Sequence, residues 1–332
     1  MNALMLLQPG QLSLQQTPVP QPAVGEILIR VKAATTCGTD LKAFRRGHPQ
    51  IPMPGPLGHE YSGDVVSVGA NAPFAVGDAV MGVHSAPCQA CYWCQRNQEN
   101  LCETIMKTKV MGAFADYLLI PARIGRINVF KKPKSLSYEI ASLLEPLACV
   151  VQGVQLLALR DDSSVLIIGP GAIGLMFAAA LKAEGISDVT VAGRNTARLA
   201  IASKFGAQTL EFEKMLVPIN TRYDIVIECT GQVEVWERSV DFVRKGGSLM
   251  LFGGPPGGTR ASFDTHRLHY DQISIISPFH FGTPAVMQAK DWLQSANLDL
   301  TPLITSRRPL SEAIQVFDEL GRGEGIKVVF QP

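Results

Sequence analysis

Four apolar residues in a row, Val165-Leu166-Ile167-Ile168, run straight into Gly169-Pro170-Gly171-Ala172-Ile173-Gly174. An apolar helical pattern follows from Ala172 to Glu184, with Gly185 at its end. A wholly apolar strand is buried on both faces, which is the condition inside a parallel sheet flanked by helices. The G-x-G-x-x-G spacing alone is weak. At a strand-to-helix turn it acquires a mechanism. The glycines allow a tight turn and close backbone approach, and the helix N-terminus offers free N–H groups to a pyrophosphate. The alternation continues through a strand at Val189–Ala192, a helix at Arg198–Phe205 and strands at Asp224–Glu228 and Ser248–Phe252. It predicts a doubly wound parallel sheet over 145–278.

The second strand of such a sheet usually ends in an acidic residue that binds the ribose 2′-hydroxyl of NAD. Here the strand ends in Gly193-Arg194-Asn195, with Arg198 one turn later. Glycine leaves room for a 2′-phosphate and arginine pairs with one, so the expected cofactor is NADP(H) in preference to NAD(H). The candidate cofactor contacts are Gly169, Gly171, Ala172, Ile173 and Gly174, then Gly193, Arg194, Asn195 and Arg198, and Thr230 beyond the strand Asp224–Glu228.

Residues 1–144 have another texture. Short β-branched runs at Glu26–Val31, Gly63–Val68 and Asp116–Ile120 lie between Gly- and Pro-rich turns, as in a β-rich or barrel-like domain. This stretch carries Cys88, Cys91, Cys94 and Cys102, spaced C-x2-C-x2-C-x7-C. Two-residue gaps let thiolates converge on one tetrahedral ion, and four of them leave no open position, so a structural zinc is favoured. An iron–sulfur cluster also takes four thiolates, but the proline usual after its last cysteine is missing here. Cys149 and Cys229 sit in apolar sequence and read as core thiols.

Three further short polar segments hold metal-competent groups: Cys37-Gly38-Thr39-Asp40, Gly58-His59-Glu60 and Glu145-Pro146. Three protein ligands plus water describe an open, catalytic zinc site. Spacing alone does not assemble these distant residues. Together with the cysteine loop, Gly63, Leu147, the glycine turn and the C-terminal Lys327-Val328-Val329, they make the whole chain resemble the medium-chain, zinc-dependent alcohol dehydrogenases, and among them the sorbitol/polyol dehydrogenase branch.

That resemblance implies an α/β fold class, with a GroES-like β-rich catalytic domain (1–144, completed by about 279–332) and a Rossmann domain (145–278). It implies that Cys37 and His59 bind a catalytic zinc, with Glu60 as a third or alternating ligand and Glu145 binding directly or through water. Thr39 would touch the substrate oxygen. Many relatives carry a histidine three residues after that hydroxyl where this chain has Lys42, so the usual proton exit is not expected. His48, His84, His266, His269 and His280 show no ligand spacing and read as surface or pocket residues. The strand Ile273–Ile276 would pair with its copy in a homodimer or homotetramer.

The formal charge of +1, without a long basic block, gives no argument for a nucleic-acid or membrane partner. The longest apolar stretch, Ile173–Leu181, stops at Lys182, short of a membrane span. The N-terminus lacks the marks of an export signal, so a cytoplasmic location with reduced thiols is expected. The expected activity is hydride transfer between NADP(H) and a secondary alcohol or ketone, with a polyol or sugar alcohol favoured over a simple secondary alcohol. A zinc-free reductase and a non-catalytic NADPH-binding or redox-sensing protein are the rivals. Elemental analysis should find two zincs per chain, one of them lost in Cys88→Ser. A single zinc that survives Cys37→Ser would mean that the catalytic position holds none.

Overall fold

A computed structural model describes residues 1–211, 222–295 and 297–332. It contains two compact units. The first takes Met1–Ala148, Phe281–Ser295 and Ile304–Pro332, and the second takes Cys149–His280 and Ala296–Leu303. The expected boundary at 144/145 therefore moves, and 279–332 does not return to the first unit as one block. The reason is local packing: Leu298, Leu300 and Leu303 are buried, and the 3-10 turn Thr301–Leu303 lies on the helices Ala172–Ala183 and Thr196–Lys204 of the second unit. No helix among the described residues is long and apolar enough to cross a membrane.

In the first unit the strand Ile27–Thr35 organises the sheet. Ile27, Ile29, Val31 and Ala33 are buried, while Arg30 and Lys32 point outward. Glu60–Val68 and Tyr117–Ile120 pair with it antiparallel. At its far end the C-terminal strand Lys327–Phe330 pairs antiparallel as well, and Ile304–Arg308 extends the sheet beyond. The register sets Thr35 opposite both Glu60 and Val329. Residues far apart in the chain therefore meet around one strand end. A smaller three-stranded sheet, Gln11–Gln16, Asn2–Gln8 and Gly55–Pro56, lies in the same unit.

The second unit is a six-stranded sheet in the order Gln208–Glu211, Asp188–Gly193, Ser164–Ile168, Tyr223–Glu228, Val243–Leu251, Ser274–Ile276. Every neighbouring pair is parallel. This is the doubly wound Rossmann order, with the reversal beside the central strand Ser164–Ile168. That strand is buried at every residue, as its apolar run predicts. The helix after it, Ala172–Ala183, is buried continuously from Gly174 to Leu181, which explains its all-round apolar sequence.

In the second unit two elements start two residues or more from where they are expected. The strand foreseen from Ser248 already begins at Val243. Its polar start, Arg244-Lys245-Gly246-Gly247, hides it from an apolar pattern. The helix foreseen from Arg198 begins at Thr196, because the Asn195 side chain caps it, accepting from Arg198 N at 3.1 Å.

Gly63 shows how tightly the first sheet is built. It faces Val31, and a Cβ there would fall 2.1 Å from the Arg30 carbonyl oxygen. Gly63→Ala should therefore destabilise the protein by about 3 kcal/mol, read as a lower midpoint in urea at unchanged m-value. An unchanged midpoint would show that the two strands separate easily at this point.

Candidate active site and metal centres

Cys37 caps the helix Gly38–Arg46. Thr39 N donates to Cys37 Sγ at 3.4 Å, and Cys37 N donates to Asp40 Oδ2 at 3.2 Å. His59 immediately precedes, and Glu60 begins, the strand that pairs with Ile27–Thr35. One ligand atom from each of Cys37, His59 and Glu60 lies within 4.8 Å of the others. Fold and register thus assemble a triad that spacing alone did not. Asp40 Oδ1 stands 3.3 Å from His59 Nδ1, without the alignment of a hydrogen bond. A carboxylate on that side leaves Nε2 for an ion, the usual arrangement behind a metal-binding histidine.

The field at this spot favours positive charge. Burial disfavours a protonated His59, yet Asp40 and Cys37 outweigh burial and push its pKa well above the ordinary value. A dication would meet the same field, so donor set and electrostatics both fit zinc.

Glu60 is completely buried, and Lys327 Nζ donates to its two oxygens, at 2.6 Å to Oε2. Thr35 Oγ1 donates to the same carboxylate. Burial pushes the Glu60 carboxyl up, and the Lys327 ammonium pulls it back. For Lys327, burial lowers and Glu60 raises, with the raise prevailing. Nζ also donates to Thr36 O at 2.8 Å.

Glu145 is buried but stands outside the tight triad, with Oε1 3.2 Å from His84 Nδ1. It is near enough to Glu60 to push that carboxyl up. His84 was expected at a surface or in a pocket. It is buried, its ring edge-on to His59 at 5.1 Å and to Phe281 at 5.8 Å. No sequence spacing signalled it, because the end of the Ala79–Gly82 strand delivers it to the cluster. Lys42 lies half-buried in the helix that Cys37 caps. Cys149 and Cys229, expected as core thiols, are only partly buried as residues.

The second cluster is compact. One Sγ from each of Cys88, Cys91, Cys94 and Cys102 lies within 4.8 Å of the rest. Cys91–Cys94 measures 3.6 Å and Cys88–Cys94 4.0 Å between sulfurs. Zn–S bonds of ~2.3 Å in a tetrahedron put sulfurs ~3.8 Å apart, whereas a disulfide needs ~2.05 Å. The geometry thus suits one tetrahedral ion. Backbone N–H groups of Cys94 and Glu103 hold the Cys91 thiol down at about 6, and burial pushes Cys94 up to about 12. One thiolate therefore forms readily, and another forms only with a cation to compensate it.

In the second unit the glycine turn is shaped for close approach. Gly169 has φ 106°, and a Cβ on Gly174 would fall 2.1 Å from Gly169 O, so the helix packs directly on the turn. Gly171 caps the helix, with open space where its Cβ would be. Ala172 and Ile173 follow in the first turn, half-exposed. Thr230 donates from its N–H and hydroxyl to Glu228 Oε1. Arg194 and Asn195 are exposed and Arg198 half-buried. Gly193 has an additional reason to be glycine: a Cβ would lie 2.2 Å from Pro170 Cδ. Its bareness is demanded by packing and does not by itself speak for a 2′-phosphate.

Comparison with known proteins agrees with this architecture. Residues 23–134 match the alcohol dehydrogenase GroES-like domain and residues 172–295 the zinc-binding dehydrogenase family. D-altritol 5-dehydrogenase of Agrobacterium fabrum is 31% identical over 325 residues, covering 96% of this chain and 95% of that protein. L-threonine 3-dehydrogenase of Coxiella burnetii is 31% identical over 353 residues, covering 99% and 98%. Among solved structures, a zinc-binding dehydrogenase of Sinorhizobium meliloti 1021 bound to NADP superposes with a TM-score of 0.90 at 27% identity, covering 100% and 99%. The alcohol dehydrogenase of Thermus sp. ATN1 gives 0.91 at 25% identity, with 100% of each chain covered. The chain belongs to the medium-chain, zinc-dependent alcohol dehydrogenase superfamily, and is an NAD(P)-linked oxidoreductase acting on alcohols.

Proposed function

We propose that the chain interconverts a secondary alcohol and its ketone, with a polyol or sugar alcohol as substrate, NADP(H) as cofactor and two zinc ions per chain. The buried Cys37–His59–Glu60 cluster carries this reading. When bound, zinc acidifies the substrate hydroxyl and polarises the carbonyl in the reverse direction, and the nicotinamide exchanges the hydride. Cys37 and His59 hold the ion, with Asp40 keeping the His59 ring turned. Glu60 serves as the alternating ligand, since Lys327 occupies its oxygens in the arrangement seen. Glu145, turned toward His84, acts through water or by a small movement. Thr39 Oγ1 would accept a hydrogen bond from the substrate hydroxyl and pass its own proton on to a cofactor ribose hydroxyl or bulk water, so that the proton leaves as the hydride is exchanged. Cys88, Cys91, Cys94 and Cys102 hold the second, structural ion.

For cofactor choice, Arg194 and Arg198 carry the argument that Gly193 no longer carries. No acidic side chain ends the strand Asp188–Gly193, and both arginines follow it within or beside the capped helix. The NADP-bound relative supports the same reading. The altritol dehydrogenase supports a polyol, and the buried Glu145 is the carboxylate that led the sequence toward that branch. The edge strand Ser274–Ile276, with Ile275 partly exposed, supports pairing with a second copy in a homodimer or homotetramer. A cytoplasmic setting suits the free thiols of the cysteine loop.

Two measurements test this. Cys37→Ala should lower kcat by at least about 10³-fold, since the ion supplies several kcal/mol of charge stabilisation, while the dissociation constant for NADPH stays unchanged. A wild-type chain that binds NADPH but turns over neither polyols nor simple secondary alcohols would move the reading to a binding protein. NADPH should bind at least tenfold more tightly than NADH, and Arg194→Ala should remove about 1.5–3 kcal/mol of that preference by losing a charge-assisted contact. Tighter NADH would overturn the cofactor assignment and leave the dehydrogenase standing.

A further inference from the structure

The dinucleotide turn sits at the C-terminal edge of the parallel sheet, after the strand Ser164–Ile168. The opposite edge holds a different feature. Arg222 stands just ahead of the strand Tyr223–Glu228, and Arg244 and Lys245 lie at the start of the strand Val243–Leu251. Arg267 comes from the helix Thr265–Tyr270. With Val243 and Asp271 these four cations line a cavity of about 420 Å³. A strand of five or six residues at ~3.3 Å each separates it from the glycine turn by roughly 15–20 Å. It is therefore not the place where the cofactor's phosphates would rest.

The charges in this cavity do not balance. Asp271 is shared by Lys245, at 3.2 Å, and by Arg267 Nε, at 3.1 Å. Asp224 takes Arg244 Nη1 at 2.7 Å through one oxygen, while its other oxygen is engaged by Ser164 N and Oγ at 2.9 and 2.8 Å. Two carboxylates thus face four cations. Arg222 Nη1 is buried and makes no hydrogen bond among the described residues. A guanidinium nitrogen left without an acceptor is costly, and a small turn of the Arg222 side chain, whose residue lines the cavity, would bring it to an oxyanion there.

The walls are also fixed in advance. Arg267 Nη2 donates to Val240 O at 3.2 Å and Val243 O at 2.8 Å, and Arg244 Nη2 donates to Arg222 O at 3.0 Å. Two forks anchored to backbone, beside one with an unused nitrogen, suit an anion with several acceptor oxygens. The volume exceeds what one ion needs and lies in the range of small-molecule sites.

We propose that this cavity binds a phosphate group, either as the free ion or as the phosphate of a small phosphomonoester. The test uses the full metal-loaded chain saturated with whichever of NADPH and NADH it binds more tightly, which blocks the cofactor's own phosphate positions. Inorganic phosphate and glycerol 3-phosphate are titrated separately by calorimetry. At least one should show a single saturable site. Arg222→Gln and Lys245→Gln should each weaken it at least tenfold, with dinucleotide affinity and the Tm in phosphate-free buffer unchanged. Tighter binding of the ester identifies an esterified phosphate as the occupant, and tighter inorganic phosphate identifies the free ion. No saturable binding of either probe to the wild type, or binding that both variants retain, overturns the proposal.

Discussion

The buried pair between Lys327 and Glu60 ties the first unit together beside Cys37 and His59. Taking both charges out of water costs several kcal/mol each, and the cost is offset only by close geometry and full hydrogen bonding. Both conditions hold. Lys327 reaches the two carboxylate oxygens and the Thr36 carbonyl, while Thr35 adds a hydroxyl. Lys327 opens the last strand, Lys327–Phe330, and Glu60 lies 267 residues earlier. The pair can form only if Lys327–Phe330 has added to the sheet beside Ile27–Thr35. The ion pair thus reports correct closure of the unit, and removing either partner would strand a buried charge beside Cys37 and His59.

The same carboxylate links architecture to chemistry. Glu60 belongs to the Cys37–His59–Glu60 cluster, which could hold a metal ion, and to the ion pair at once. His59 beside it is backed by Asp40, which also caps the helix begun by Cys37. Cys37 and Glu60 are therefore held by helix capping and hydrogen bonds, and His59 by a carboxylate 3.3 Å away. Such preorganisation is what lets a site keep an open coordination position without collapsing around its metal. The cysteine loop works differently. Burial pushes its Cys94 thiol up to about 12, so an ion held there would bring that thiolate with it, and folding and metal binding would be coupled.

Local chemistry made much of this legible in the sequence. The apolar run at 165–168 with its glycine turn specified a buried parallel strand and the helix after it, and the spacing of four cysteines specified their convergence. What stayed hidden depended on tertiary register. His84 has no partner within sequence reach, and it enters the cluster only because its strand ends beside His59 and Glu145. Thr35 and Lys327 likewise gain their places from strand pairing. The start of the Val243–Leu251 strand escaped notice because Arg244, Lys245 and two glycines erase its period. The segment Ala296–Leu303 escaped because three leucines do not say which core they enter.

The contact between Pro170 and Gly193 links two positions usually considered apart. In sheets of this order the turn at the first position serves the pyrophosphate and the strand end at the second serves the adenosine ribose. Because the proline ring fills the space where a Cβ at 193 would stand, an acidic side chain cannot simply be installed there. The change to a carboxylate must be preceded or accompanied by a smaller residue at 170. In a drifting population these two sites would change hands together, and a design that alters ribose recognition must treat them as one locus.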